Sequence, residues 1–198
     1  MPVSKDFKAL LMETRACRAC ADVLPLGPKP ILQVHPDARL LIASQAPGRI
    51  AHASGIPFQD PSGRRLRDWM GIDETAFYDP HRVAIVPMGL CYPGRGNGGD
   101  LPPRPECAPL WRNVILDKLA RVRLTLVIGA HAQRWHGVAG RSVADAIGRW
   151  RDHRTAVVPL PHPSPRNNGW LAGNGWFERD VVPLVRQRVE RVLVDCPR

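Results

Sequence analysis

Apolar residues along this chain fall into two patterns: short runs without interruption, and longer stretches at helical spacing. Four runs stand out. Arg39 to Ser44 reads Arg-Leu-Leu-Ile-Ala-Ser and stops at Gln45-Ala46-Pro47-Gly48; Val83 to Val86 ends at Pro87; Leu124 to Ile128 ends at Gly129; Ala156 to Leu160 ends in a proline-rich turn. Runs apolar at nearly every position predict strands covered on both faces, and Pro or Gly at each end predicts where pairing must stop. Between them lie helical patterns. Ser4 to Arg15 carries Phe7, Leu10 and Leu11 on one face, Ser62 to Met70 can cap itself, and Pro105 to Leu119 opens on a proline and aligns Leu110, Val114 and Ile115. His131 to Trp135, Ser142 to Trp150 and Phe177 to Leu193 complete the set. Strands alternating with helices predict an α/β fold: one domain over residues 1–198, with a four-stranded parallel sheet flanked by helices on both faces and right-handed crossovers. Sites in such sheets lie beyond the C-terminal strand ends. The turns Gln45–Asp60, Pro87–Cys107 and Pro161–Asn168 are therefore expected to meet at one edge.

Composition adds constraints. A chain of 198 residues at 44% hydrophobic content supports one buried core. The 21 prolines and 17 glycines imply long ordered loops, where sites are usually built. No apolar run reaches the roughly 18 residues of a membrane span, and the first residues alternate polar and apolar positions, so a cytoplasmic protein without a membrane partner is expected. The net charge of +10 and a pI near 10.3 favour a polyanionic partner, because Lys and Arg near phosphates release condensed counterions. Nucleic acid fits that description, although Lys occurs only at positions 5, 8, 29 and 118, and an arginine bias can also arise from codon usage.

Four cysteines form a set. Cys17 and Cys20 make a C-x-x-C pair, Cys91 and Cys107 flank fifteen residues rich in Pro and Gly, and Cys196 stands apart near the end. In a reducing compartment such a pair ligates metal or does redox chemistry more often than it forms a disulfide. Here it follows a helix, whereas thioredoxin-like chemistry needs it to open one. Four thiolates suit tetrahedral zinc and an iron-sulfur cluster alike, so sulfur ligation does not choose between them.

The spacing of Cys17, Cys20, Cys91 and Cys107 resembles the cluster ligands of the iron-sulfur branch of the uracil-DNA glycosylase superfamily. Ser44-Gln45-Ala46-Pro47-Gly48 looks like the superfamily's first motif, and Gly55-Ile56-Pro57-Phe58 stands where that family places Gly-x-Pro-Phe. His162-Pro163-Ser164-Pro165-Arg166-Asn167 is similar to its second motif, closest in wording to the single-strand-selective branch. The resemblance, running from Cys17 to Asn167, implies a monofunctional DNA glycosylase of base excision repair. Its partner is DNA, single or double stranded, with a damaged base; its cofactor is a 4Fe-4S cluster, with zinc second; and it needs no nucleotide cofactor and acts as a monomer. It also implies roles. Phe58 stacks on an extruded base, with Ala46, Gly48 and Asn167 completing the base pocket. His162 donates a hydrogen bond to the departing base as negative charge develops. Ser164, Arg166 and Arg49 contact DNA.

The chain departs from that pattern twice. The iron-sulfur branch usually has glutamate at the position of Gln45, and the best-known branch has aspartate at that of Ala46, so the first motif here offers no carboxylate. Gln45 and His52 are the candidates for orienting a water, with Asp60 nearby. The base-reading asparagine that follows the second strand is replaced by Pro87, leaving Asn97, Asn167 or Asn168 to read the base. Gly94-Arg95-Gly96-Asn97-Gly98-Gly99 predicts a flexible loop beside the pocket, lacking the Lys-Ser/Thr of a phosphate-binding loop. Two further readings follow: a nucleic-acid-binding protein that keeps fold, cluster and basic surface without catalysis, and a hydrolase of free nucleosides or nucleotides.

Overall fold

The computed structural model describes residues 5–153 and 155–194; Ser4 and Cys196 lie outside the described residues. In chain order the elements are α1 (Lys5–Arg15), β1 (Leu40–Ala43), α2 (Arg49–Ser54), α3 (Pro61–Met70), α4 (Glu74–Phe77), β2 (Val83–Ile85), β3 (Arg95–Gly96), β4 (Gly99–Asp100), α5 (Cys107–Leu116), β5 (Leu124–Ile128), α6 (Gly129–Trp135), α7 (Val143–His153), β6 (Val157–Leu160), a 3-10 turn (Pro165–Asn167), α8 (Asn168–Gly173), a π turn (Phe177–Val181) and α9 (Val182–Val194). The main sheet has the order β2-β1-β5-β6, with every pair parallel. This is the four-stranded α/β arrangement that the apolar runs predict.

Alternation along each strand divides the core. Leu40, Ile42, Val83, Ile85, Leu124 and Leu126 pack with Leu66, Trp69 and Met70 of α3, Ile147 and Trp150 of α7, and Val185 and Val189 of α9. Leu41, Ala84 and Val86 turn the other way, onto Phe7 of α1 and Ile115 of α5. The two edges of the sheet are closed by different means. On β2, Gln33 bridges Ile85 through backbone bonds of 2.7 and 3.0 Å, and its side-chain amide donates to Phe77 O and Val83 O. On β6, Pro159 removes a donor where an edge strand can spare one.

Three sequence expectations change. The loop 94–99 is a short antiparallel hairpin pairing Arg95 with Asp100 and Gly96 with Gly99. Gly94 and Gly99 adopt φ of 101° and 142°, a region open to glycine, and this allows so tight a reversal. The last helix begins as a π turn in which Phe177 and Val181 are both buried. Short helices α2, α4 and α8 fall in segments whose apolar spacing did not announce them.

Candidate active site

The loops after β1, β2 and β6 meet beyond the C-terminal strand ends around a cleft of about 560 Å³. It is lined by Gln45, Gly48, Arg49, Phe58, His162, Ser164, Arg166 and Asn167 among the residues singled out by sequence, and also by Asp60, Pro87, Tyr92, Arg95 and Asp100. Ala46 and His52 are not among the lining residues. Ala46 turns toward Gly89, where an added Cβ would lie 3.6 Å from its own. His52 sits on α2, its ring 6.0 Å from that of Tyr92 and its Nδ1 buried without a partner among the described residues. The structure therefore gives no support to His52 as the group that orients a water.

Phe58 is placed by an unusual backbone. Its φ is +58°, costly for a bulky residue, and its carbonyl lies so close to Gly63 that a Cβ there has no room. Asp60 caps α3 by accepting from Gly63 N at 2.9 Å, which locks the turn. The Phe58 ring meets Phe77 edge-on at 6.2 Å while also lining the cleft, so it presents a rigid aromatic surface.

His162 is held by its own loop. Ser164 N donates to His162 Nδ1 at 3.2 Å, so the neutral ring carries its proton on Nε2 and can donate from there. Burial lowers its pKa and Arg166 acts in the same direction, while Asp60 and Asp100 oppose the shift. Asn167 Nδ2 donates to His162 O at 2.7 Å, and Ser164 Oγ accepts from Arg166 N, so both side chains shape the turn. Arg65, which the sequence pattern did not single out, donates to Pro163 O, Ser164 O and Asn168 Oδ1. Behind Pro87, the buried Arg112 donates to Val86 O and contacts His136 Nε2 at 2.7 Å. Burial holds Arg112 down to about 10 and His136 to about 4, consistent with a charged guanidinium donating to a neutral imidazole.

A second chamber lies beside the cleft. Cys17, Cys20, Cys91 and Cys107 are all free and wall one small cavity with Leu24, Leu90 and Trp111. Leu90 N donates to Cys107 Sγ at 3.2 Å and Trp111 Nε1 to Cys17 Sγ at 3.3 Å. Burial pushes the Cys91 thiol up to about 11 and raises Cys107 too, so neither is a thiolate at neutral pH without a cation beside it. A tetrahedral zinc needs sulfurs about 3.8 Å apart. Among the described residues, the ligand group gathered within 4.8 Å is instead His35, Asp37 and His81, before β1 and β2 at the far end of the sheet. There Asp37 is engaged by Arg121 at 2.8 Å. No helix among the described residues is long and apolar enough to cross a membrane.

Comparison with protein families gives a match that spans the site. The family described as the Uracil DNA glycosylase superfamily fits residues 32–186, a span from the segment before β1 to α9 that includes the whole cleft.

Proposed function

The chain belongs to the uracil DNA glycosylase superfamily, and on that premise we propose that it hydrolyses the N-glycosidic bond of uracil or another deaminated base in DNA, leaving an abasic site. The observation that carries this reading is the convergence of Phe58 and of His162, with its proton on Nε2, on one cleft ringed by Arg49, Arg95 and Arg166. A base turned out of the stack lies against Phe58. His162 donates to the base oxygen that gains negative charge as the bond breaks, and because the ring is neutral it does so without transferring a full proton. The arginines take the flanking phosphates. Pro87 contributes no side-chain amide, so the base edge is read by backbone groups and by Asn167 Oδ1, whose Nδ2 is already engaged.

The four cysteines fit a 4Fe-4S cluster. They are free, they share a wall, and N–H groups reach three of them, Cys17, Cys91 and Cys107. Bound there, the cluster would cross-link the segments at Cys17, Cys20, Cys91 and Cys107 and keep buried thiolates charged. Iron and sulfide in the brown pure protein support this assignment; stoichiometric zinc in a colourless one removes it.

The test of activity uses labelled single- and double-stranded oligonucleotides carrying uracil, hypoxanthine or xanthine, followed by alkaline cleavage. Strand breakage at one of them is the expected result. Intact strands, with binding that weakens steeply with salt, would leave a nucleic-acid-binding protein, the reading favoured by the absence of a carboxylate in the first motif.

A further inference from the structure

We propose that Asp100, on the β3–β4 hairpin, is the catalytic carboxylate of this cleft, holding the attacking water and facing the cationic sugar in place of the carboxylate missing from the first motif. The inference rests on the glycosylase reading above. Bond breakage at the sugar develops oxocarbenium character, which a nearby carboxylate stabilises while it orients a water. Gln45 has no charge to offer and Ala46 points elsewhere, so the cleft has to draw that charge from another element.

Two carboxylates line the cleft, Asp60 and Asp100. Asp60 is committed: its Oδ1 caps α3 at Gly63 N. Asp100 is exposed, and among the described residues its carboxylate has neither a hydrogen-bond nor an ion-pair partner. It nevertheless points inward, for Oδ2 stands 3.4 Å from the place a Cβ would occupy on Gly48 in the first motif. The charges of Asp60 and of Asp100 both reach His162, so what sets Asp100 apart is its unengaged carboxylate beside Gly48.

The hairpin that carries it is tied down. Gln45 Nε2 donates to Leu101 O at 3.3 Å, and Leu101 N to Gly94 O at 2.9 Å. On the other side Gly99 lies flush against the Arg166 guanidinium, with no space for a Cβ. The residue standing where a glutamate is usual thus spends its amide on the residue after Asp100: Gln45 is a positioning residue, and its substitution and the hairpin's aspartate make one arrangement.

The step balances simply. The electron pair of the C1′–N bond leaves with the base, the water oxygen bonds to C1′, the water proton passes to Asp100 and on to solvent, and the base anion takes a proton from solvent.

Single-turnover cleavage and equilibrium binding are measured for the wild-type protein, Asp100→Asn and Asp60→Asn on the same uracil-containing single strand. Asp100→Asn is expected to lower the rate by about 10²–10⁴-fold, the range for a lost general base. Binding stays within about threefold or tightens, since a negative charge has left a phosphate-binding cleft. A structural role alone would lower binding and rate together. Equal rates for wild type and Asp100→Asn overturn the proposal and leave the glycosylase reading standing, as does a rate lost in Asp60→Asn and kept in Asp100→Asn. A wild-type protein that cleaves none of the uracil, hypoxanthine or xanthine strands, single or double, overturns both.

Discussion

The cleft and the cysteine cavity are neighbours built on opposite principles. The segment Gly89 to Tyr92 divides them: Gly89, Leu90 and Cys91 wall the cavity, and Tyr92 lines the cleft. The cavity is small and mostly apolar, and its polar groups are four sulfurs, the N–H groups aimed at three of them and Arg104 at its wall. The cleft is wide and open, and it mixes Arg49, Arg95 and Arg166 with Asp60 and Asp100. One region holds distant parts of the chain together; the other leaves charged groups free to meet a ligand. A substitution in the first should act through folding, and one in the second through chemistry at nearly constant stability.

The largest effect is expected from Cys107→Ser. It removes a sulfur that accepts Leu90 N–H beside α5, and a hydroxyl is a poor substitute for a thiolate ligand. The purified variant should lose its colour and about 3 kcal/mol or more of stability in denaturant titration. Its cleavage should fall only as the folded fraction falls. A variant of full stability with chemistry abolished would make the cavity part of the catalytic machinery.

His162→Ala should do the reverse, lowering the cleavage rate by about 10²–10³-fold, as the loss of a donor to developing negative charge does, with unfolding displaced by about 1 kcal/mol or less. Acid should mimic it. Burial and Arg166 lower the pKa of His162, so the ring is neutral at and above the ordinary histidine value of about 6.5. As pH falls below that and through the depressed folded value, Nδ1 takes a proton, the bond from Ser164 N is lost, and activity declines. Stability shifts with the same sign. The unfolded chain binds protons first, so what neutral His162 contributes is complete above the unfolded value and disappears as pH drops through the folded one. A cleavage profile flat well below that range would remove His162 from the reaction.

The two regions also differ in how far the sequence reveals them. Four apolar runs give the sheet, because strands buried on both faces leave no other pattern, and the breaks at Pro47, Pro87 and Pro161 mark the loops that meet in the cleft. The cysteines are visible because sulfur in a fixed spacing has few uses. Asp100 is not visible: β3 and β4 have two residues each, too few for periodicity, and glycines that suggest flexibility turn out to place a carboxylate. Nor is Arg65, whose value lies in three acceptors about a hundred residues away. Asp60 reads as a possible base and proves to be a helix cap. His52 reads as a site residue because it follows the motif, yet it is not among the residues that line the cleft. Spacing shows which chemistry is present, but which side chain is already occupied depends on partners far away in the chain.

The smallest effect tests the wall between the regions. Lys29 reaches both: its backbone N–H lies against the Cys91 sulfur, and its Nζ donates to His52 O at 2.6 Å and Ala53 O at 3.2 Å, the last carbonyls of α2. An ammonium there satisfies groups that a helix end leaves unpaired and complements the negative end of the helix. Because α2 carries Arg49 to the cleft, Lys29 links the segment beside the cavity to the position of an arginine that lines the cleft. Lys29→Met keeps the aliphatic length and the backbone N–H while deleting both bonds. Stability should fall by about 1 kcal/mol, the colour should persist, and binding of a uracil-containing strand should weaken by about two- to fivefold, which is what the loss of one well-placed phosphate contact allows. The informative measurement is the double variant with Arg49→Ala. If Lys29 acts only by holding α2, the two losses in binding will be less than additive, because a helix that has lost its arginine has little left to misplace. Full additivity would mean that the cavity and the cleft share a wall without sharing a function.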